Sequence, residues 1–99
     1  MQETYDVIVI GAGATGLACA HTLHRRGVEV LCLESGRAPG GIMTTQQEGG
    51  FLFEQGPNTI PASAPCFRRL TQEAGLLDRL TVSNPAASLR LVYRNGRLH

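Results

Sequence analysis

The chain has 99 residues, of which 9 are basic and 8 acidic, giving a formal net charge of +1. This length allows one domain at most, and the balanced charge argues against a nucleic-acid partner. The longest apolar runs, residues 7–10 and 30–33, are far shorter than the roughly 20 residues of a transmembrane segment. Three cysteines without CxxC spacing are typical of free thiols, so the composition predicts a cytoplasmic globular protein.

The first third of the chain has the pattern of a βαβ unit. Residues 5–10 and 29–34 are short runs rich in Val, Ile and Leu, which predict two strands of a parallel sheet buried on both faces. Residues 14–26 between them predict a helix, which Gly27 ends. The apolar face of this helix would be formed by Leu17, Ala20 and Leu23.

The second third is rich in glycine and predicts loops and a hairpin. Residues 35–41 (SGRAPGG) contain three glycines and one proline, a composition typical of a loop. The Gly49-Gly50 pair lies between two short extended segments, which predicts a β-hairpin.

The last third predicts a helix and a second hairpin. Ser63 has the character of an N-cap, and Gly75 marks the end of the helix that follows. Its apolar face would carry Phe67, Leu70 and Ala74. The segment SLRLVYRNGRLH alternates like a strand and then contains Asn95-Gly96, a strong hairpin turn signal. Because three residues follow this turn, we expect the chain to be the front of a larger protein.

Three glycines directly follow the first predicted strand, in the sequence GAGATG. Gly11 would allow a tight turn, Gly13 would let the backbone approach a pyrophosphate, and Gly16 would let helix and strand pack closely. An acid, Glu34, ends the second strand about 20 residues later, where a carboxylate accepts hydrogen bonds from an adenosine ribose. A carboxylate there opposes a 2′-phosphate, so the pattern predicts FAD or NAD rather than NADP.

Motifs after Glu34 resemble a known family and favour FAD. The segment ESGRAPGGIMT is similar to the glycine-doublet motif of the FAD-dependent amine oxidase superfamily, with Arg37, Gly40-Gly41 and Thr44 as its elements. The segments GFLFEQGPNTI and YRNGRLH resemble one branch, the oxygen-dependent protoporphyrinogen oxidases. Ile42 departs from the arginine that many amine oxidases have after the doublet, which favours the porphyrinogen branch.

The resemblance implies a fold and a set of cofactor-binding residues. The fold would be α/β: a Rossmann-like FAD-binding βαβ unit with a Gly-rich loop, a β-hairpin and a helix, forming the N-terminal part of a larger two-domain flavoprotein. Residues 1–60 would bind FAD, and residues 61–99 would lead into a substrate domain. The residues implied in FAD binding are Gly11, Ala12, Gly13, Ala14, Thr15, Gly16, Glu34, Ser35, Arg37, Gly40, Gly41, Ile42, Gly56, Pro57, Asn58 and Thr59.

The implied activity is that of an FAD-dependent oxidoreductase in heme biosynthesis. It would dehydrogenate a porphyrinogen by hydride transfer to FAD, with O2 as the electron acceptor, and the 99 residues alone would be inactive. The alternatives are another member of the superfamily, acting on an amine or a polyene, and a short non-catalytic dinucleotide-binding module. A cytoplasmic location is expected, with peripheral membrane attachment through other regions left open.

Several residues have side chains that can bind metals or act in catalysis, but the sequence does not show the partners that such a site needs. His21 and His24 have ligand spacing on the predicted helix, but no third ligand is near in sequence, so no metal site is predicted. Cys19 and Cys32 lie on elements expected to be buried and would act as small apolar residues. Because flavins carry out the redox chemistry themselves, the absence of an evident catalytic triad or carboxylate pair agrees with this prediction, and catalytic residues stay unassigned.

Overall fold

The computed structural model describes residues 4–87, 89 and 91–99. These residues form two compact units, divided between Ile60 and Pro61. The beginning of the last predicted strand includes Ser88 and Arg90, which lie outside the described residues. None of the helices in the described part of the chain has the length and hydropathy of a membrane span.

The first unit begins with the βαβ arrangement that the sequence predicts. Strand β1 (Val7–Ile10) is followed by helix α1 (Ala14–Arg25) and strand β2 (Val30–Leu33). The two strands pair in parallel, with Val7 opposite Val30 and Ile10 opposite Leu33. This register brings the carboxyl ends of both strands together, where the glycine-rich turn and Glu34 follow.

The β1–β2 sheet is half-buried on the face of Val7 and Val9, and the opposite face is exposed at β1. Val7 and Val9 are half-buried on the side that α1 covers, whereas Ile8 and Ile10 are 55% and 87% exposed. Leu33 on β2 is also 46% exposed. The prediction of two fully buried strands is therefore wrong for these residues, because the βαβ unit supplies a helix for one face of the sheet.

Helix α1 ends as predicted but is less buried than its pattern indicates. Its C-cap is Arg26, whose backbone N–H donates to the carbonyl of Leu23 over 2.9 Å. Leu17, expected on the buried face, is 41% exposed. The prediction of buried cysteines fails for Cys19, which is exposed, while Cys32 is half-buried. A single helix on a two-stranded sheet shields only the side chains directly between them.

A hairpin completes the first unit. Strands β3 (Thr45–Glu48) and β4 (Phe51–Glu54) pair antiparallel, with Glu48 opposite Phe51. Gly49 and Gly50 have φ angles of 58° and 82°, the pair of positive values that a two-residue type I′ turn requires. The predicted hairpin is confirmed.

The described residues of the second unit form one helix, two short 3₁₀ turns and a small hairpin. Helix α2 spans Pro65–Glu73, and the 3₁₀ turns span Leu77–Arg79 and Pro85–Ala87. Strands β5 (Tyr93–Arg94) and β6 (Arg97–Leu98) pair antiparallel. The 3₁₀ turns are not predicted by the sequence pattern.

The N-cap of α2 is Ala64, so the prediction of Ser63 is wrong by one residue. Pro65 sets this boundary, because proline fits the first helical position, where its missing N–H costs no hydrogen bond. The helix buries Thr71, whose hydroxyl donates to the carbonyl oxygen of Phe67. Gly75 follows the C-cap with a φ of 68°, as predicted for the end of this helix.

The β5–β6 hairpin turns at Asn95-Gly96, as the sequence predicts. The φ angles of these residues are 52° and 78°, again the values of a type I′ turn. Reciprocal backbone hydrogen bonds between Val92 and His99, of 3.0 and 2.9 Å, extend the pairing beyond the strands.

Candidate cofactor site

The turn after β1 begins with a glycine in a left-handed conformation. Gly11 has a φ of 99°, which residues with a side chain rarely adopt. Its N–H still donates to the carbonyl of Leu33 over 2.7 Å, so the pairing with β2 continues to the point where the chain turns. The turn therefore starts directly at the edge of the sheet.

Gly16 lets α1 pack against the backbone of this turn. A Cβ atom built on Gly16 would overlap with the carbonyl oxygen of Gly11 and lie 3.0 Å from its carbonyl carbon. It would also lie 3.5 Å from the Cγ1 atom of Val9. Close helix–strand packing, predicted for this position, is thus a property of the fold itself.

Gly13 differs from both neighbouring glycines. Any residue can adopt its φ and ψ angles of −75° and −179°. A Cβ atom on Gly13 would meet no described atom within 4 Å apart from its chain neighbours. Neither the backbone nor packing requires glycine here, so the free space beside Gly13 is room that a ligand can occupy.

Helix α1 begins beside this space, because Gly13 is its N-cap. The first N–H groups of a helix have no intrahelical partner, and here they belong to Gly13, Ala14, Thr15 and Gly16. Gly13 is the N-cap of α1 and makes no side-chain cap to these groups, and no acid lies in the first turn of this described helix. Such an end binds anions through its N–H groups and the helix dipole. The residues therefore fit a diphosphate.

Glu34 lies beside the turn and accepts two backbone hydrogen bonds. Its Oε1 atom receives the N–H of Gly36 and its Oε2 atom receives the N–H of Ala12, each over 2.7 Å. These bonds, with further ones from Ser35, hold the pKa of the Glu34 carboxyl below its ordinary value. The carboxylate is therefore ionised at neutral pH. Its hydrogen bonds stabilise the folded state fully above the ordinary glutamate pKa, and this stabilisation is lost as the pH falls through the lowered pKa.

The glycine doublet contacts the turn after β1. The N–H of Gly40 donates to the carbonyl of Ala12 over 2.8 Å. A Cβ atom on Gly41 would lie 3.2 Å from the Cα atom of Gly13, and Gly41 has a φ of 60°. The structure thus brings the two glycine motifs together around the free space beside Gly13.

Gly56 packs against the residue after the doublet. A Cβ atom on Gly56 would overlap with the carbonyl oxygen of Ile42. The side chain of Ile42 is 72% exposed. The remaining residues implied in cofactor binding are exposed: Ser35, Arg37, Pro57, Asn58 and Thr59.

We expect Gly56→Ala to destabilise the first unit by about 1–3 kcal/mol, the usual cost of an added methyl group in close packing. The Ile42 carbonyl must move away, which also displaces the adjoining doublet. Gly50→Ala is a comparison at an exposed turn, where a Cβ atom has open space but the φ of 82° is unfavourable. Chemical denaturation measures both. A loss at position 56 no larger than that at position 50 would contradict the packing argument.

The sequence interpretation missed two features of this site. Gly36 turns its N–H back onto the Glu34 carboxylate, and a Cβ atom there would lie 3.1 Å from Oε1. The carboxylate bond to Ala12 was also unforeseen. A glycine two residues after the acid is the signal that could have indicated the first. Within the described part of the chain, no group of three or more His, Cys, Asp or Glu residues could hold a metal ion.

Comparison with known proteins identifies the family. The family model described as flavin containing amine oxidoreductase matches residues 14–99. The chain belongs to this family. Its members contain a flavin, so FAD is the cofactor, as the motifs after Glu34 predicted.

Two porphyrinogen oxidases are similar to most of this chain. Coproporphyrinogen III oxidase of Propionibacterium freudenreichii subsp. freudenreichii is 37% identical over 92 residues, 93% of this chain and 17% of that protein. Chloroplastic protoporphyrinogen oxidase 1 of Arabidopsis thaliana is 33% identical, covering 96% of this chain and 18% of that protein. The chain thus spans less than a fifth of the length of these relatives.

A solved structure has the same fold. Putrescine oxidase, determined as the wild type bound to putrescine, matches with a TM-score of 0.66 and 31% sequence identity. The match covers 72% of this chain and 16% of the oxidase. These findings confirm the predicted superfamily, with relatives in the porphyrinogen oxidases, and the α/β cofactor-binding fold in its general form.

Proposed function

We propose that the space beside Gly13 receives the diphosphate of FAD. The first N–H groups of α1, on Gly13, Ala14, Thr15 and Gly16, would donate to phosphate oxygens. Support comes from the open position of Gly13, where no described atom explains the absence of a side chain. Further support comes from the helix N-terminus that begins at Gly13 without a side-chain cap.

The proposal extends to the ribose and to the flavin end. Glu34 would accept hydrogen bonds from the adenosine ribose, because an ionised carboxylate has about four acceptor positions and the N–H groups of Ala12 and Gly36 each occupy one. The bonds from Ser35 would give way to the ribose hydroxyls. Ser35 would lie by the same ribose. Arg37 with Gly40, Gly41 and Ile42 would lie near the diphosphate and ribityl chain, and residues 56–59 alongside the flavin.

For the whole protein we propose a porphyrinogen oxidase activity. FAD, when bound, would supply the redox chemistry, namely the removal of hydride from the substrate and electron transfer to O2. The observation that carries this proposal is the similarity to two porphyrinogen oxidases, which extends over 93% and 96% of the chain. Residues 1–60 would serve the cofactor, and residues 61–99 would lead into a domain that binds the substrate.

Anaerobic reduction of the bound flavin tests this activity. The purified protein that carries this chain should show the absorbance of oxidised flavin and lose it on mixing with coproporphyrinogen III or protoporphyrinogen. Air should then restore it. Bleaching by putrescine alone would instead support an amine oxidase, and bound flavin that no porphyrinogen, amine or polyene reduces would support a non-catalytic module.

The amine oxidase is the second candidate, and the fold match to putrescine oxidase favours it. That match covers 72% of the chain, less than the matches to the porphyrinogen oxidases. The exposed apolar side chain of Ile42, where many amine oxidases have arginine, also favours the porphyrinogen branch. The porphyrinogen is therefore the first substrate to assay.

We expect Glu34→Ala to weaken FAD binding about ten- to a hundred-fold, the range for losing hydrogen bonds to a charged group. The ribose is remote from the reacting ring, so the rate of flavin reduction at saturating FAD should be unchanged. Equilibrium titration of deflavinated protein and stopped-flow reduction measure the two effects. The control is Glu29→Ala, an exposed acid before β2. Equal affinity in both variants would remove Glu34 from the site.

A further inference from the structure

The Glu34 carboxylate bridges two loops that are distant from each other in the sequence. It joins the N–H of Ala12, in the turn after β1, to the N–H of Gly36, in the loop after β2. The carbonyl of Ala12 in turn accepts the N–H of Gly40. Both backbone groups of Ala12 are therefore fixed from the second loop, and the residue is only 5% exposed.

Ala12 directly precedes the residue that borders the proposed diphosphate space. A shift of Ala12 would carry Gly13 with it and change the direction of the first N–H groups of α1. The Glu34 and Gly40 hydrogen bonds thus influence the N–H groups that would donate to the diphosphate, although neither bond includes the diphosphate itself.

We propose that Glu34 is a positioning residue for the diphosphate, holding the turn after β1 in its binding conformation before any cofactor arrives. This role rests on the proposed FAD site and adds to the ribose contact proposed there. The carboxylate acts through Ala12, so its effect should extend to ligands that have no ribose.

The two roles predict opposite changes in the affinity for an anion when Glu34 is neutralised. An ionised carboxylate close to a diphosphate repels it, so neutralising Glu34 should strengthen the binding of an anion if the residue only contacts ribose. If Glu34 positions the turn, neutralising it should weaken that binding instead. An amide in place of the carboxylate can accept from one N–H group, but its NH₂ end donates and opposes the other.

The test is the binding of inorganic pyrophosphate, which has no ribose, to deflavinated protein by isothermal titration calorimetry. We expect Glu34→Gln to weaken pyrophosphate binding about ten-fold or more, the effect of losing a hydrogen bond to a charged group. Glu29→Gln, at the exposed residue before β2, removes an equal charge and should leave binding unchanged. Unchanged or tighter binding by Glu34→Gln would overturn the positioning role.

A second measurement needs no substitution. In wild-type protein labelled with ¹⁵N-alanine and ¹⁵N-glycine, the amide resonances of Ala12 and Gly36 should shift together as the pH falls. Their common midpoint should lie below the ordinary pKa of glutamate, because the two N–H bonds stabilise the ionised form. Independent titration of the two amides, or none, would overturn the bridge even where Glu34→Gln does not fold.

The outcomes distinguish this inference from the function on which it rests. A wild-type protein that binds neither FAD nor pyrophosphate would contradict the proposed cofactor site, while the amide titration would still decide whether the bridge exists. Normal binding of both ligands by the wild type, with pyrophosphate unaffected in Glu34→Gln, would leave the cofactor site standing and remove the positioning role alone.

Discussion

Gly13→Val should abolish FAD binding and leave the fold intact. The valine side chain would project into the space beside Gly13, where a Cβ atom meets no described atom within 4 Å. It would therefore exclude a diphosphate from the N–H groups of α1, while its Cβ atom displaces no described atom. The backbone angles at Gly13 suit any residue, so the cost to folding should be at most about 1 kcal/mol, from a poorer N-cap.

Flavin content after purification and the thermal midpoint of unfolding measure the two parts of this prediction. Ala64→Val is a matched control, because Ala64 is the N-cap of α2 and likewise makes no side-chain cap. It should retain FAD. A Gly13→Val protein with stoichiometric flavin would contradict the proposed position of the diphosphate.

Gly16→Ala, in contrast, should destabilise the fold. Its methyl group would overlap with the backbone carbonyl of Gly11, and a backbone carbonyl at the edge of the sheet cannot rotate away as a side chain can. Helix α1 must therefore move off β1. Overpacking costs about 1–3 kcal/mol and occasionally more, and we expect this substitution to reach or exceed the upper value.

Urea denaturation of the deflavinated protein measures this effect without a contribution from bound cofactor. Cys19→Ala is the control, since Cys19 is exposed on the same helix and a surface substitution should stay within about 0.5 kcal/mol. If Gly16→Ala unfolds at the same urea concentration as the control, the close approach of α1 to the turn is not what requires this glycine.

Local signals in the sequence were sufficient to predict most of the elements. The Gly49-Gly50 and Asn95-Gly96 pairs predict their hairpins because each pair adopts the positive φ angles of one turn type. Helix α1 begins and ends within one residue of its predicted bounds. Ser63 failed as an N-cap because the proline at position 65 fixed the first helical turn one residue later.

Burial could not be predicted from the same patterns. A run such as VIVI indicates a strand, but the exposure of Ile8 and Ile10 depends on which elements cover the sheet. Hydrophobic patterning indicates which side chains favour burial, whereas actual burial depends on neighbours that are remote in sequence. The same reason explains why Cys19 and Leu17 are exposed on a helix whose pattern indicates a buried face.

The sequence spacing indicated which residues follow the two strands but not the hydrogen bonds between them. The three glycines and Glu34 follow from spacing after the strands, and the structure places them at one edge of the sheet. The hydrogen bonds from Ala12 and Gly36 to Glu34 depend on the β1–β2 register and on the path of the loop after β2. Neither can be read from spacing alone, since a shift of the register by one residue would reverse the faces of the strand.

The contact between Gly41 and Gly13 has a consequence for changing the cofactor by mutation. With a Cβ atom on Gly41 only 3.2 Å from the Cα atom of Gly13, substitutions at the two positions should be energetically coupled, and a double-mutant cycle would show a non-additive term. A design that alters one glycine motif to admit a different nucleotide must therefore redesign the other with it. Natural variation at these two positions should likewise be correlated across family members.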